Sequence, residues 1–382
     1  MSSSWDQYFR ASLDARTQAQ GRRYLGTDAQ PRTERIIDFG SNDYLGLSSN
    51  PNLHHIDAES AKSGSASSPV LLGYTAQQAA LERELADLFN TDSAIVFSSG
   101  YAANAGVIGC LASDSDLILS DQLNHASLID GCRLSRARCQ VFPHCDAEYV
   151  AQYLKRHRDD YQRVLILTET VFSMDGDQAP LGELASIAAQ YDAGLVVDEA
   201  HALGIYGDEG AGLCQELHIG SRVLLKLGTL SKSAGCVGGY AAGTELSVDY
   251  LVNFCRSLIF STAPSPMVME VAKDALRQIR SMDQEREALR ALSRELRRGL
   301  RELGWRLAGD ADSDSPIVPV IIGDADKTRR LSAMLYQQGI YVPAIRPPTV
   351  PKGTSRLRIS LSTLHTETQV AQLLHVLGSN DS

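Results

Sequence analysis

Two apolar segments of this chain end in residues that can do chemistry. The first, Ala193-Gly-Leu-Val-Val-Asp198-Glu-Ala-His201, closes a run of strand-forming residues on a carboxylate, with a histidine shortly after. The second, Leu224-Leu-Lys-Leu-Gly-Thr229-Leu-Ser-Lys232-Ser-Ala-Gly235, closes on hydroxyls, small residues and a lysine. A lysine among Gly, Ser, Thr and Ala has no packing task there. It stands where a ligand approaches the backbone, and the carboxyl ends of buried strands are where α/β proteins bind ligands.

An amine on one strand end and a carboxylate on another are what pyridoxal phosphate (PLP) requires. The amine forms an imine with the cofactor's aldehyde. An ionised carboxylate keeps the pyridine nitrogen protonated, so that the ring accepts electrons from a carbanion. Ser98-Ser-Gly100-Tyr101-Ala-Ala-Asn104 offers a phosphate loop at a strand-to-helix junction, because the free N–H groups at a helix start attract anions. Each feature alone has a plainer reading: a strand-end Asp caps a turn, a Lys beside Gly is solvated, a His after a strand is structural. Their order and company point to the cofactor.

The elements that must position these groups follow from periodicity. A helix is expected near 5–20 and a short strand over Ile36–Phe39, leading into a turn at Ser41-Asn-Asp-Tyr-Leu-Gly46. Leu81, Leu85, Leu88 and Phe89 fall on one helical face. Ala94–Phe97, Leu117–Leu119, Val164–Leu167 and Leu195–Val197 are short apolar strands with helical segments between them. That alternation predicts an α/β domain with a mainly parallel central sheet covered on both faces. Residues 265–303 read as one long charged helical stretch, either continuous or broken once. Strands near 317–322 and 356–360 flank a helix, and another helix closes the chain, which predicts a smaller α+β C-terminal domain. The expected division is an N-terminal segment over 1–50, a large cofactor-binding domain over 51–250 and a C-terminal domain over 251–382.

Size and composition agree. At roughly 150 residues per domain, 382 residues allow two or three domains. A net charge of −10 argues against nucleic-acid binding. The seven Cys include no Cys-x-x-Cys and read as reduced thiols. Met1–Arg10 is polar, without an apolar signal core, and no apolar run approaches the roughly 20 residues that cross a membrane. A soluble, cytoplasmic protein is the expectation. No Gly-x-Gly-x-x-Gly follows an early strand, against a nucleotide-binding dehydrogenase. The nine His show no paired metal-ligand spacing, so no metal is expected.

The chain resembles the α-oxoamine synthases, a branch of the fold-type I PLP enzymes. The resemblance rests on Ser41–Gly46, Ser98–Tyr101, Asp121-Gln-Leu-Asn-His125-Ala-Ser127, Phe172-Ser-Met-Asp-Gly-Asp177, Asp198–His201, Gly228–Lys232 and Arg356-Leu-Arg358. It implies that Lys232 carries the cofactor and shuttles the α-proton, that Asp198 pairs with the pyridinium, that His201 bonds the ring hydroxyl and that His125 stacks on the ring. Ser173 and Thr229 would contact the cofactor, and the amides of Gly100 and Tyr101 would sit near its phosphate. Arg358 would clamp the amino-acid carboxylate, for which the planar guanidinium fork is suited. Asn42 and Glu169 would lie near the substrates, Arg346 and Thr349 in the substrate region, and Arg22, or its neighbour Arg23, would reach substrate from the N-terminus. A homodimer with the site between subunits is implied. Ile345-Arg-Pro-Pro-Thr349-Val-Pro351 resembles the branch that joins L-alanine to a pimeloyl thioester, carried by coenzyme A or a carrier protein, in biotin biosynthesis. Sister enzymes use glycine with acetyl-CoA or succinyl-CoA, and a non-catalytic PLP-fold subunit would lose Lys232 or Asp198. The chain departs from the family where Ser231, Ser233 and Ala234 replace glycine-rich sequence around the lysine, and at Ser65-Ala-Ser-Ser-Pro69.

Overall fold

The computed structural model describes residues 3–18, 22, 36–53, 62–310 and 313–379. A short strand β1 (Ile37–Asp38) precedes the central sheet, which is built from β2 (Ser93–Phe97), β3 (Leu117–Asp121), β4 (Arg138–Phe142), β5 (Val164–Glu169), β6 (Gly194–Asp198), β7 (Leu225–Thr229) and β8 (Gly239–Gly243). Its order is β2-β8-β7-β6-β5-β3-β4. All neighbours are parallel except β8, which runs antiparallel to both β2 and β7. β3 and β5 are buried at every position, as a sheet covered on both faces requires. Leu117 and Leu119 enter one apolar cluster while Ile118 enters the other, on the opposite face. β4 is one of the two edge strands and keeps several positions exposed.

The strand order sets the position of the site. From β3 the chain crosses outward to β4, whereas from β5 it crosses the other way to β6. Between those two connections, at the carboxyl ends of β3 and β5, lies the crevice where open α/β sheets bind ligands. The same edge carries the ends of β2, β6 and β7.

The C-terminal part holds β9 (Ile317–Gly323), β10 (Ile340–Tyr341), β11 (Ala344–Ile345) and β12 (Ser355–Ser360). β11, β12 and β9 form an antiparallel sheet. β1 pairs parallel with β10, tying the segment before the large sheet to the C-terminal part. The charged stretch after residue 265 divides into helices Pro266–Arg280 and Asp283–Glu302, the first packed on helix Ala76–Phe89. The first helix, Ser4–Gln18, buries no residue and exposes Trp5, Tyr8 and Phe9. Among the described residues no helix is long and apolar enough to cross a membrane.

Candidate active site

The ends of β2, β5, β6 and β7 converge on a cleft of about 260 Å³ that contains Lys232, Asp198, His201, His125 and Glu169. Lys232 Nζ lies 2.8 Å from His201 Nε2, and His201 Nδ1 lies 2.7 Å from the hydroxyl of Tyr44. Burial, reinforced by the charges of Lys232 and Arg358, pushes His201 well below the usual histidine range, so its ring is neutral. Burial also lowers the Lys232 amine to about 8, against the opposing pull of Asp198 and Glu169. About a tenth of the amine is therefore unprotonated and nucleophilic at pH 7, far more than for an exposed lysine.

Asp198 is held from both oxygens. Its Oδ1 accepts from the Ala200 N–H at 2.9 Å and its Oδ2 from Asn104 Nδ2 at 2.7 Å. Asn104 also donates to Ser127 Oγ at 2.9 Å, which lies 2.7 Å from His125 Nδ1. One polar chain thus links the carboxylate to the ring on the other side of the cleft. Loss of water around His125 lowers its pKa, with Asp198 opposing and Lys232 adding to the effect. Burial, then the Asp198 charge, pushes Glu169 up to about 8, and its Oε1 has no hydrogen-bond partner. A protonated, half-partnered carboxyl here is ready to bond a ligand.

One end of the cleft is lined by a helix start, whose free N–H groups suit an anion. Helix Gly100–Leu111 starts there, with Ser99 accepting from the Ala102 N–H at 3.1 Å. Gly100 packs so closely on the end of β7 that a Cβ would fall 2.9 Å from Thr229 Cβ. Thr229 Oγ1 donates to the Gly238 carbonyl at 2.9 Å and lies 2.8 Å from Ser231 Oγ. Tyr101, half exposed at the rim, hydrogen-bonds Asp130 through its hydroxyl.

Arg358 reaches the site from β12. Buried at 4% exposure, its guanidinium donates from Nε to the Ser173 carbonyl at 2.6 Å, and from Nη1 to Asn42 Oδ1 at 3.0 Å and Ser360 Oγ at 2.6 Å. Tyr44 stands between Arg358 and His201. Burial raises its hydroxyl while Arg358 acts to lower it. Arg346 and Thr349 do not line the cleft. They form a turn, the Thr349 N–H bonding the Arg346 carbonyl at 3.0 Å, and the charges that bear on Arg346 are Arg329 and Asp326 of helix Ala325–Gln337. Arg22 is half buried, and Arg23 lies outside the described residues.

These residues fit PLP. The amine, the carboxylate, the amide-rich helix start and the unpartnered Glu169 Oε1 and Asn104 Oδ1 supply complementary groups for its aldehyde, ring and phosphate. Tyr44, Asn104, Ser127 and Ser231 take part although sequence reasoning gave them no role. The only signal for Asn104 was its place one turn after Gly100, on the face of the helix start.

The family model for aminotransferase class I and II matches residues 34–377. The chain belongs to that family. It is 43% identical to the 8-amino-7-oxononanoate synthase of Alkalilimnicola ehrlichii, over 92% of this chain and 90% of that one. Among solved structures it superposes with TM-score 0.85 on the serine palmitoyltransferase of S. paucimobilis with a PLP–myriocin aldimine bound, at 32% identity over 90% of this chain and 87% of that one. On the 8-amino-7-oxononanoate synthase of Francisella tularensis the TM-score is 0.77, at 31% identity over 91% and 98% of the two chains. The architecture is that of the fold-type I PLP enzymes, and this member of the family is a PLP-dependent enzyme.

Proposed function

We propose that this enzyme condenses L-alanine with a pimeloyl thioester, releasing carbon dioxide and the free thiol and yielding 8-amino-7-oxononanoate for biotin synthesis. The observation that carries the reaction type is the Lys232 amine in one cleft with Asp198, with the buried Arg358 close enough for its charge to bear on that amine. The substrates rest on the curated relatives that bear the synthase's name. When bound, PLP supplies the electron sink that stabilises negative charge on the amino acid's Cα.

The chain's own residues supply the rest. Arg358 holds the substrate carboxylate and so fixes which Cα bond is presented. Lys232 takes the α-proton on Nζ and later returns one. Neutral His201 receives a hydrogen bond from that amine, and the Tyr44 hydroxyl behind it holds the ring's orientation. Asp198, oriented by Asn104 and the Ala200 amide, would hold the pyridine nitrogen of the cofactor, and His125 would cover its ring. The start of helix Gly100–Leu111, with Tyr101 and Thr229 in the same cleft lining, would receive the cofactor, and Ser173, which does not line that cleft, would contact it from turn 172–177. Asn42 and Glu169 face the substrates, while Arg22, Arg346 and Thr349 serve the acyl chain from outside the cleft described above.

The enzyme acts as a cytoplasmic homodimer. Support comes from an exposed apolar patch: Leu71, Leu72 and Phe260 lie on segments joined by the Ser68 Oγ bond to the Ile259 carbonyl at 2.6 Å. A patch of this kind marks an interaction surface.

The test is a grid of alanine, glycine and serine against acetyl, succinyl, pimeloyl and long-chain thioesters, with products identified by mass. Alanine with pimeloyl thioester should lead. A clear preference for glycine with a short donor would overturn the substrate assignment and leave the cofactor chemistry standing.

A further inference from the structure

Behind the cleft, His144 sits in the loop after β4 with both ring nitrogens engaged. Its Nδ1 lies 2.9 Å from Asp121 Oδ1 and its Nε2 lies 2.8 Å from Asp177 Oδ2. Carboxylates accept only, and a neutral imidazole has one N–H. Two short bonds to two carboxylates therefore require the imidazolium.

The two carboxylates belong to the two loops that frame the site. Asp121 ends β3 and opens the loop to His125, its oxygens also taking the Leu123 and Cys145 N–H groups at 2.8 and 2.9 Å. Asp177 closes the turn that begins at Phe172, where the Phe172 N–H bonds the Asp177 carbonyl at 3.0 Å. His144 also lies edge-on to Phe172, 4.4 Å between ring centres. On its other side the same turn is gripped by the C-terminal sheet, the Ser173 carbonyl taking Arg358 Nε at 2.6 Å and the Met174 carbonyl taking Arg356 Nη1 at 3.2 Å. The turn thus lies between one cation on the large domain and two on the small one.

We propose that His144, as an imidazolium bridging Asp121 and Asp177, is a positioning residue that sets turn 172–177 and, through the Ser173 carbonyl, the aim of Arg358 at the amino-acid carboxylate. This rests on the reading of Arg358 given above. The titratable groups that face the ring are Asp121, Asp177 and the Cys145 thiol, 3.5 Å away. Burial works against the charge on His144, but the bonds from the two carboxylates outweigh it and push the group up to about 12. The charge therefore persists across the working pH range, and the clamp is constitutive.

His144→Gln removes the charge and one of the two bonds. Misplacement of a substrate-orienting group by about 1 Å can cost about 100-fold. The KM for the amino acid should accordingly rise about 10- to 100-fold, with PLP affinity unchanged and kcat little altered. Asp177→Asn should raise the same KM, and the double variant should add little further, because both break one contact chain. A merely structural role would instead lower stability and leave the amino-acid KM unchanged. In the unaltered holoenzyme, nitrogen-15 histidine labelling should find both His144 nitrogens protonated at about pH 9, a readout independent of how the variants fold. A neutral ring there overturns the proposal. So does a normal KM in folded His144→Gln beside an Arg358→Ala that has lost amino-acid binding. If Arg358→Ala itself binds the amino acid normally, the reading of Arg358 fails first and this inference falls with it.

Discussion

Lys232 and Glu169 both have their protonation set by burial, in opposite senses. An exposed lysine titrates near 10.4; burial brings the Lys232 amine to about 8. The neutral, reactive amine therefore grows in as pH rises through about 8. Capture of added PLP by the cofactor-free protein, followed by absorbance, should accelerate between about pH 7 and 9 and then level; a rise centred near 10 would deny the shift. Glu169, pushed up to about 8, is largely protonated at pH 7, so Glu169→Gln should retain most turnover at that pH. A collapse of turnover in a folded Gln variant would mean that an ionised carboxylate is needed there. Arg358→Ala removes a buried charged contact and should weaken amino-acid binding by roughly 2–5 kcal/mol, with PLP affinity nearly unchanged by titration. Unaltered amino-acid affinity would leave Arg358 a structural residue of β12. At this scale the strand-end residues were legible in sequence because local runs, Leu195–Asp198 and Leu225–Thr229, deliver them to one edge. Tyr44 and Asn104 were not, because their partners His201, Arg358 and Asp198 are far away in the chain and no local pattern encodes the meeting.

The elements were legible in proportion to their branched apolar content. Val164–Leu167 and Leu195–Val197 announce buried strands, and the structure has them as β5 and β6. β8, Gly-Tyr-Ala-Ala-Gly, has no branched residue and carries two glycines, so propensity is silent, yet it is wholly buried between β2 and β7. Its place is dictated by close approach: a Cβ at Gly239 would fall 2.4 Å from the Ser99 carbonyl oxygen. Edge strand β4 hides for the opposite reason, since Arg138, Cys139 and Val141 face water. The same close packing governs the helix start at Gly100. Gly100→Ala would thrust a methyl against Thr229, and overpacking of this sort costs about 1–3 kcal/mol. The variant should bind PLP more weakly in equilibrium titration while Lys232 remains reactive. Unchanged PLP affinity would mean that the helix start does not hold the cofactor.

For the whole molecule, the sheet places Lys232, Asp198 and Glu169 on one edge while β12 brings Arg358 across from the C-terminal part, so the proposed amino-acid clamp requires the two parts to keep their relation. Arg346 and Thr349 were expected near substrate on sequence resemblance, and in a single chain they lie away from the cleft, beside helix Ala325–Gln337. A role for them at the acyl chain requires that the substrate, or a second subunit, extend the site. If the exposed patch at Leu71, Leu72 and Phe260 is the subunit interface, sedimentation should find twice the 41.4 kDa chain mass, and Leu72→Asp should shift it to monomer with loss of turnover. An active monomer would contradict the dimeric site. The central claim, that this cleft is a PLP site anchored on Lys232, is tested most directly by reducing the PLP-loaded protein with borohydride and mapping the labelled peptide. The label should fall on Lys232 alone; a label on Lys226 or any other lysine, or none at all, would contradict the account.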